Sequence, residues 1–483
     1  MFKSTLKITV SLLLALTPVN KYQVNAQTDI PSTRVCSQDL GREINKIINH
    51  PQQERATWGI LVQKLHSQET LYQLNSEKYF IPASSIKLLT TAAALTKFGA
   101  DYEMTTPVYV TGNTPNVDSL TIVGQGDPTI TSEKLEELAQ ELSDRGIRQI
   151  KRLVVKDDSL PSETINGTWE VSDLSYMYAP PVNNLILNEN NVTISFRGER
   201  VNQPAVIEWS DEVAGNQWTV ENRLITTNNS DDNDVRLVPN WRESTIEVTG
   251  KLGLNQNSRN WWLSIPNPQQ YFLDSLRGVL EEQNIAVVST EIVSDYILEP
   301  MDDERIFTQI KSLPLQEIVS STNKNSNNLF AEVLLKQLGD DQNDGFTNIK
   351  DLLSPLGVDS QSYHVKDGSG MSRQNLVAPA AVVATLQGMA GSEYGDIFRD
   401  SLTVAGVDGT LRNRFQDTPV EGNFYGKTGT LTGEVSLSGY LELNDYPDLV
   451  LSIMINKSAQ NSVVSRQAID QVVLVLSRVK DCS

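Results

Sequence analysis

Two strand-like runs, Ala56 to Leu65 and Glu69 to Leu74, flank His66-Ser67-Gln68 and predict a hairpin. After Tyr79-Phe80-Ile81-Pro82-Ala83 the texture changes: Ile86 to Leu95 is apolar nearly all round, which predicts a buried helix ending near Gly99. Strand-like runs at Ser119 to Val123 and Ile150 to Val155 bracket an amphipathic helix, Ser132 to Leu142, with Leu135, Leu138 and Leu142 on one face. Residues 183–265 read as all-β, with period-two alternation at Val192, Ile194 and Phe196 and again at Ile246 and Val248, around a polar loop from Asn228 to Asp234. Helix returns at Pro268 to Gln283 and strand at Phe307 to Ile310. Helical runs Leu315 to Thr322 and Leu329 to Leu338 then flank Ser326, strands Val435 to Leu443 and Leu449 to Ile455 follow, and a helix from Gln467 to Val479 closes the chain. Strands that suit one sheet thus lie near both ends, with roughly two hundred residues of another texture between them, the layout of a domain interrupted by an insertion.

Composition narrows the class. The 483 residues exceed one ordinary core. Hydrophobic residues at 39% and charged residues at 21% describe a folded, soluble protein. A net charge of −20 argues against nucleic acid as a partner, since phosphate binding needs basic patches. Lys3 and Lys7 precede an apolar stretch, Ile8 to Leu16, shorter than the ~20 residues of a spanning helix. With Val24-Asn25-Ala26 as cleavage site, residues 1–26 read as a signal peptide, which implies export to the periplasm or cell envelope and no membrane span in the mature chain. The rival reading, an uncleaved anchor, is disfavoured by Pro18, Asn20 and Lys21. Cys36 and Cys482 form either one disulfide joining the chain ends or two free thiols. No spacing suits a zinc site, and neither a metal nor an organic cofactor is implied.

Three short motifs carry the candidate chemistry, in order: Ser84-Ser85-Ile86-Lys87, Ser326-Asn327-Asn328 and Lys427-Thr428-Gly429. The first is weak alone, because S-x-x-K occurs four times, at Ser4, Ser84, Ser321 and Ser477. Only Ser84 opens a long apolar helix, where Lys87 lies one turn on and free backbone N–H groups favour a developing anion. A serine nucleophile needs a base. His50, His66 and His364 sit in no recognisable triad motif, whereas a buried Lys87 would have its pKa lowered toward neutrality. Ser326 would pass a proton to a leaving amine, and Asn328 would hold Lys87 and a substrate amide. Lys427 sits before an expected strand whose edge suits an extended peptide. There Lys427 and Thr428 suit a terminal carboxylate, Gly429 gives clearance for a substrate backbone, and the Thr430 N–H with that of Ser84 makes an oxyanion hole.

With those motifs stand Gly124-Gln125-Gly126-Asp127-Pro128, Asp367-Gly368-Ser369-Gly370-Met371-Ser372-Arg373 and Ala405-Gly406-Val407-Asp408-Gly409-Thr410-Leu411. Together they resemble the class C low-molecular-mass penicillin-binding proteins, the D-alanyl-D-alanine carboxypeptidase/endopeptidase family; the S-x-x-K, serine/asparagine and K-T-G set is itself a known signature of penicillin-binding proteins. The resemblance implies an α/β fold: a transpeptidase/β-lactamase-like domain, an antiparallel sheet with helices, interrupted by a mixed α/β subdomain and an all-β subdomain. The boundaries expected are 27–104 and 316–483 for the transpeptidase-like domain, 105–182 and 266–315 for the α/β subdomain, and 183–265 for the all-β subdomain. It implies an acyl-enzyme on Ser84 that cleaves D-Ala-D-Ala bonds and cross-links of peptidoglycan stem peptides, with β-lactams as inhibitors. It also implies a stem side-chain pocket from Asp173 and Tyr178, with Ser369, Met371, Arg373 and Leu431 near it; an acid there suits a free amine. The alternatives are a serine β-lactamase or esterase with rapid deacylation, and a non-catalytic peptidoglycan-binding scaffold.

Overall fold

The computed structural model describes residues 34–157, 164–293, 305–340 and 342–482. The signal segment 1–26 lies outside them, and among the described residues no helix is long and apolar enough to cross a membrane.

A six-stranded antiparallel sheet organises the site. Its order is Thr403–Val404, Phe424–Leu431, Glu434–Leu441, Leu449–Asn456, Thr57–Lys64 and Thr70–Leu74, so strands from both ends of the sequence share it. Period-two alternation gives it two apolar faces. Leu61, Val450 and Met454 join one core with the helices Lys87–Phe98, Asn328–Gln337 and Pro379–Ala390. Ile60, Val62, Leu451 and Ile453 join the other with the helices Leu40–Ile48 and Ser462–Leu476. The Lys87–Phe98 helix is buried continuously from Lys87 to Leu95, as an apolar surface all round demands, and ends at Gly99 with φ +78°. Burial of each of its leucines contributes about 1.5–3 kcal/mol.

The middle of the chain builds a second core. A five-stranded mixed sheet runs Ala286–Val293, Gln149–Lys156, Asn116–Val123, Thr105–Asn113 and Arg305–Lys311. Helices Ser132–Asp144 and Pro268–Glu282 pack here, the first through the expected Leu135, Leu138 and Leu142. Between them, residues 191–264 form two three-stranded sheets, with Val192, Ile194 and Phe196 buried in alternation.

Several expectations shift. The closing helix spans Ser462–Leu476, not 467–479, because the Asn461 side chain caps it by accepting the Val463 N–H. Val479–Lys480 instead pairs in parallel with Val35–Cys36. That ladder sets the Cys36 and Cys482 Cα atoms 5.4 Å apart, and the two residues form a disulfide. The polar loop is shorter than expected, since a strand begins at Asn233. Lys427-Thr428-Gly429 lies inside a strand rather than before one.

The disulfide ties the two chain ends across nearly the whole sequence. Replacing Cys36 and Cys482 together by serine is expected to lower unfolding free energy by about 2–4 kcal/mol in chemical denaturation; an unchanged midpoint and slope would contradict this.

Candidate active site

Lys87 is the hub of the site. The chain enters through a 3-10 turn, Ala83–Ile86, that places Ser84 one turn before it. Fully buried, Lys87 donates from Nζ to Ser84 Oγ at 3.1 Å, to Asn328 Oδ1 at 2.6 Å and to the Ser369 carbonyl. Burial drives its pKa down to about 7, against the opposing pull of the Asp367 and Glu332 carboxylates. A neutral amine is therefore accessible beside a serine hydroxyl near neutral pH, and the Ser84 hydroxyl makes no helix-capping bond.

The second and third motifs meet the first. Ser326 Oγ accepts from Lys427 Nζ at 2.8 Å. Lys427 is also fully buried, and burial, then the charge of Lys87, push its pKa well below the usual lysine range. Asn327 rather than Ser326 caps the following helix, accepting the Phe330 N–H at 3.1 Å. Asn328 bridges Lys87 to the Tyr178 carbonyl, to which its Nδ2 donates at 2.7 Å. Ala83 and Ser326 both adopt left-handed backbone, with φ of +47° and +59°; such residues cost about 1–3 kcal/mol and gather at functional sites.

Strand Phe424–Leu431 forms the wall. Its outer edge pairs only at Tyr425 and Gly426 with Thr403–Val404, so among the described residues no strand covers that edge from Lys427 onward. Thr430 is exposed there and Leu431 half-buried. Thr428 Oγ1 lies 2.8 Å from Thr410 Oγ1. Gly429 serves the protein's own backbone rather than clearance for a substrate alone: a Cβ there would meet Ser436 Oγ at 2.2 Å, Pro82 O at 2.7 Å and Ser84 N at 3.0 Å. Ser436 Oγ in turn donates to Pro82 O and contacts Ser85 Oγ, clamping the serine turn to the sheet.

The expected side-chain pocket is brought together in part. Tyr178 Oη donates to Asp173 Oδ1 at 3.2 Å, and burial raises the Asp173 pKa. Arg373 pairs with Glu170 at 2.7 Å and donates to Thr432 O, and Met371 packs on the Trp169, Leu174 and Ala179 cluster. Ser369 is buried, its carbonyl accepting from Lys87 and its Oγ accepting the Met371 N–H at 3.4 Å.

Sequence reasoning missed four contributors. Glu332 accepts the Ser369 N–H at 2.8 Å, and burial followed by Asp367 raises its pKa to about 7. A lone acid in the apolar run Leu329 to Leu335 was the available signal. Asp367 accepts from Gly370 N, Ser372 N, Asn375 Nδ2 and Trp169 Nε1, which folds the loop around it. Glu189 accepts from Asn327 Nδ2 at 2.9 Å, delivered by three successive left-handed residues, Asn188 to Asn190, that no motif announces. Thr410 lay inside a quoted string without a role.

A family model described as "D-Ala-D-Ala carboxypeptidase 3 (S13) family" matches residues 40–479. A D-alanyl-D-alanine carboxypeptidase of Actinomadura sp. (strain R39) is 32% identical over 83% of this chain and 78% of its own. A penicillin-sensitive carboxypeptidase A of Dictyostelium discoideum is 27% identical over 98% of each chain. Among solved structures, penicillin-binding protein 4 (dacB) of Haemophilus influenzae superposes with a TM-score of 0.74 at 21% identity, covering 92% of this chain and 98% of that one. The same protein complexed with a β-lactam gives a TM-score of 0.71 at 20% identity, covering 90% and 98%. The mixed α/β architecture is therefore that of the transpeptidase/β-lactamase-like fold with added domains.

Gly429→Ala forces the serine turn off the sheet. It is expected to slow covalent labelling of Ser84 by an acylating probe by at least ~10-fold, with a lowered melting temperature, at about 1–3 kcal/mol for overpacking. Labelling at the original rate would show that the turn tolerates the methyl group.

Proposed function

The chain belongs to the D-Ala-D-Ala carboxypeptidase 3 (S13) family, and from that premise we propose that Ser84 is the nucleophile that attacks the carbonyl between the two terminal D-alanines of a peptidoglycan stem peptide. The protein is a serine-type D-Ala-D-Ala carboxypeptidase; the roles of its residues are our reading. As the Ser84 Oγ–carbon bond forms, the hydroxyl proton passes to Lys87 Nζ. The tetrahedral oxyanion takes hydrogen bonds from the Ser84 and Thr430 N–H groups, each such donor contributing about 2.7–4 kcal/mol. Collapse breaks the C–N bond, and Ser326 delivers a proton to the departing D-alanine amine, replenished from Lys427. Water then attacks the ester, its proton returning through Ser326 to Lys427, while Lys87 hands its proton back to Ser84 Oγ as the C–O bond breaks, which restores the starting enzyme.

Substrate recognition follows from charge and from the open strand edge. Lys427 and Thr428 take the terminal carboxylate. Binding a carboxylate beside Lys427 favours its ammonium form, which its burial otherwise disfavours. The backbone from Thr428 to Leu431 pairs with the extended peptide. Asp173, with Tyr178, Met371, Arg373 and Leu431 around it, takes the free amine of a diaminopimelate-type stem residue; ion pairing there offsets the burial that raises the Asp173 pKa. Cross-links ending in the same D-Ala carbonyl present the same bond. β-Lactams, seen complexed with the Haemophilus protein, acylate Ser84 in the same way and leave a slowly hydrolysed ester. Export by the 1–26 segment to the periplasm or envelope would bring the enzyme to this substrate.

One observation carries the reading: a sealed lysine amine, its pKa brought to about 7, 3.1 Å from Ser84 Oγ. Incubation with a fluorescent penicillin is expected to leave a persistent label that Ser84→Ala abolishes, together with D-alanine release from a D-Ala-D-Ala peptide. Rapid penicillin turnover without a lasting label would favour the β-lactamase alternative, and an unlabelled, inactive wild type would favour the scaffold. The pH dependence has a definite sign. The base acts as the neutral amine, whose fraction falls as pH drops below its pKa. The labelling rate is thus expected to rise with pH through about 7 and to fall about 10-fold per unit well below it. A rate still climbing toward pH 10 would contradict a base at this pKa.

A further inference from the structure

The segment from Asp367 to Gly370 is clamped between two helices. On one side, Thr90 of the Lys87–Phe98 helix, one turn past Lys87, donates to the Gly368 carbonyl at 3.1 Å. On the other, the Asn328–Gln337 helix presses so closely that a Cβ at Gly368 would meet Ala331 O at 2.4 Å. Ser369 therefore has little freedom, and its two backbone groups point to opposite partners. Its N–H donates to Glu332 Oε1 at 2.8 Å, and its carbonyl accepts from Lys87 Nζ. Glu332 is 4% exposed, on a helix otherwise filled with Leu329, Phe330, Val333 and Leu334.

We propose that Glu332 is a positioning residue for acylation: through Ser369 it fixes the carbonyl that aims the Lys87 amine at Ser84, and its buried carboxyl adds to the countercharge of Asp367 for the ammonium that Lys87 becomes. The inference rests on the reading of Lys87 as base. During attack the Ser84 proton moves to Lys87 Nζ, so a positive charge appears in a site closed to water, where its cost depends on fixed neighbours. The charged and titratable groups around it are Asp367, Glu332 and, beyond Lys87, Lys427. Asp367 exerts the larger pull on Lys87, its oxygens held by Gly370 N, Ser372 N, Asn375 Nδ2 and Trp169 Nε1, and Glu332 adds to that pull while also holding the Ser369 N–H. Glu332 and Lys87 titrate over the same range, so the attacking form pairs an ionised Glu332 with a neutral Lys87, and arrival of the Ser84 proton on Lys87 completes an ion pair with no second proton to move.

Glu332→Gln separates this role from simple packing, since the amide oxygen still accepts from Ser369 while the charge is gone. Loss of an anion that favours the ammonium form lowers the Lys87 pKa. The acidic limb of the pH profile for acylation by fluorescent penicillin is expected to move to lower pH by about half to one unit. A limb within about 0.2 unit of wild type in a folded variant would overturn the proposal. If the Gln variant does not fold, Glu332→Asp decides. Its charge remains but withdraws by one methylene, so the limb is expected to stay in place while the plateau rate falls about 10-fold; an undiminished plateau would overturn the proposal. Lys87→Ala keeps the two levels apart: labelling that survives it removes the base, whereas labelling lost there with an unmoved Glu332→Gln profile removes only Glu332.

Discussion

The whole site depends on one buried amine. Lys87 sits on a helix that is apolar on every side and carries a group whose charged form the interior disfavours. Its burial is tolerable because three acceptors, from Ser84, Asn328 and Ser369, surround Nζ. Each acceptor comes from a different stretch of chain. The geometry of the lysine therefore recruits the serine turn, the Asn328 helix and the Asp367 loop to one point. The same desolvation that disfavours the charged lysine brings its pKa down to about 7, so in the proposed reaction stability and chemistry trade against each other at a single atom.

The rest of the architecture fixes those three stretches. The six-stranded sheet supplies the wall: Ser436 and Gly429 pin the serine turn to two of its strands. Behind the amine stand the Glu332 and Asp367 carboxyls, and beside it the Lys427 amine, so the site holds two buried lysines and two buried acids. The middle of the chain also reaches the site. Tyr178 offers its carbonyl to Asn328, Trp169 donates to Asp367, and Glu189 holds Asn327. These contacts tie residues 169–189 to the Ser326 motif and to the Asp367 loop.

Much of this was legible in the chain. The apolar run Ile86 to Leu95 marked the central helix, alternation marked the strands, and three ordered motifs marked the chemistry. Ser84 and Asn328 converge on Lys87 and Ser326 on Lys427, and the two lysines lie close enough for the charge of one to act on the other. What stayed hidden depends on long-range approach rather than on local pattern. Ser369 reads as a loop residue near a pocket, yet the clamp between Thr90 and Ala331 buries it, with its carbonyl accepting from Lys87. The left-handed turn at Asn188 to Asn190 has no glycine to announce it. The end of the closing helix was misplaced because Val479, apolar like the helix before it, prefers a ladder partner at Val35. Nor does periodicity reveal that the two cysteines meet, since the pairing needs both ends of the fold in place.

The central claim is that burial makes Lys87 a neutral base. The most direct measurement is an NMR titration of the lysine side chains with carbon-13 at Cε, the Lys87 resonance assigned by its loss in Lys87→Arg. A midpoint near 7 is expected, far from the ordinary lysine value of about 10.4. A Lys87 resonance that remains that of an ammonium up to pH 10 would contradict the account.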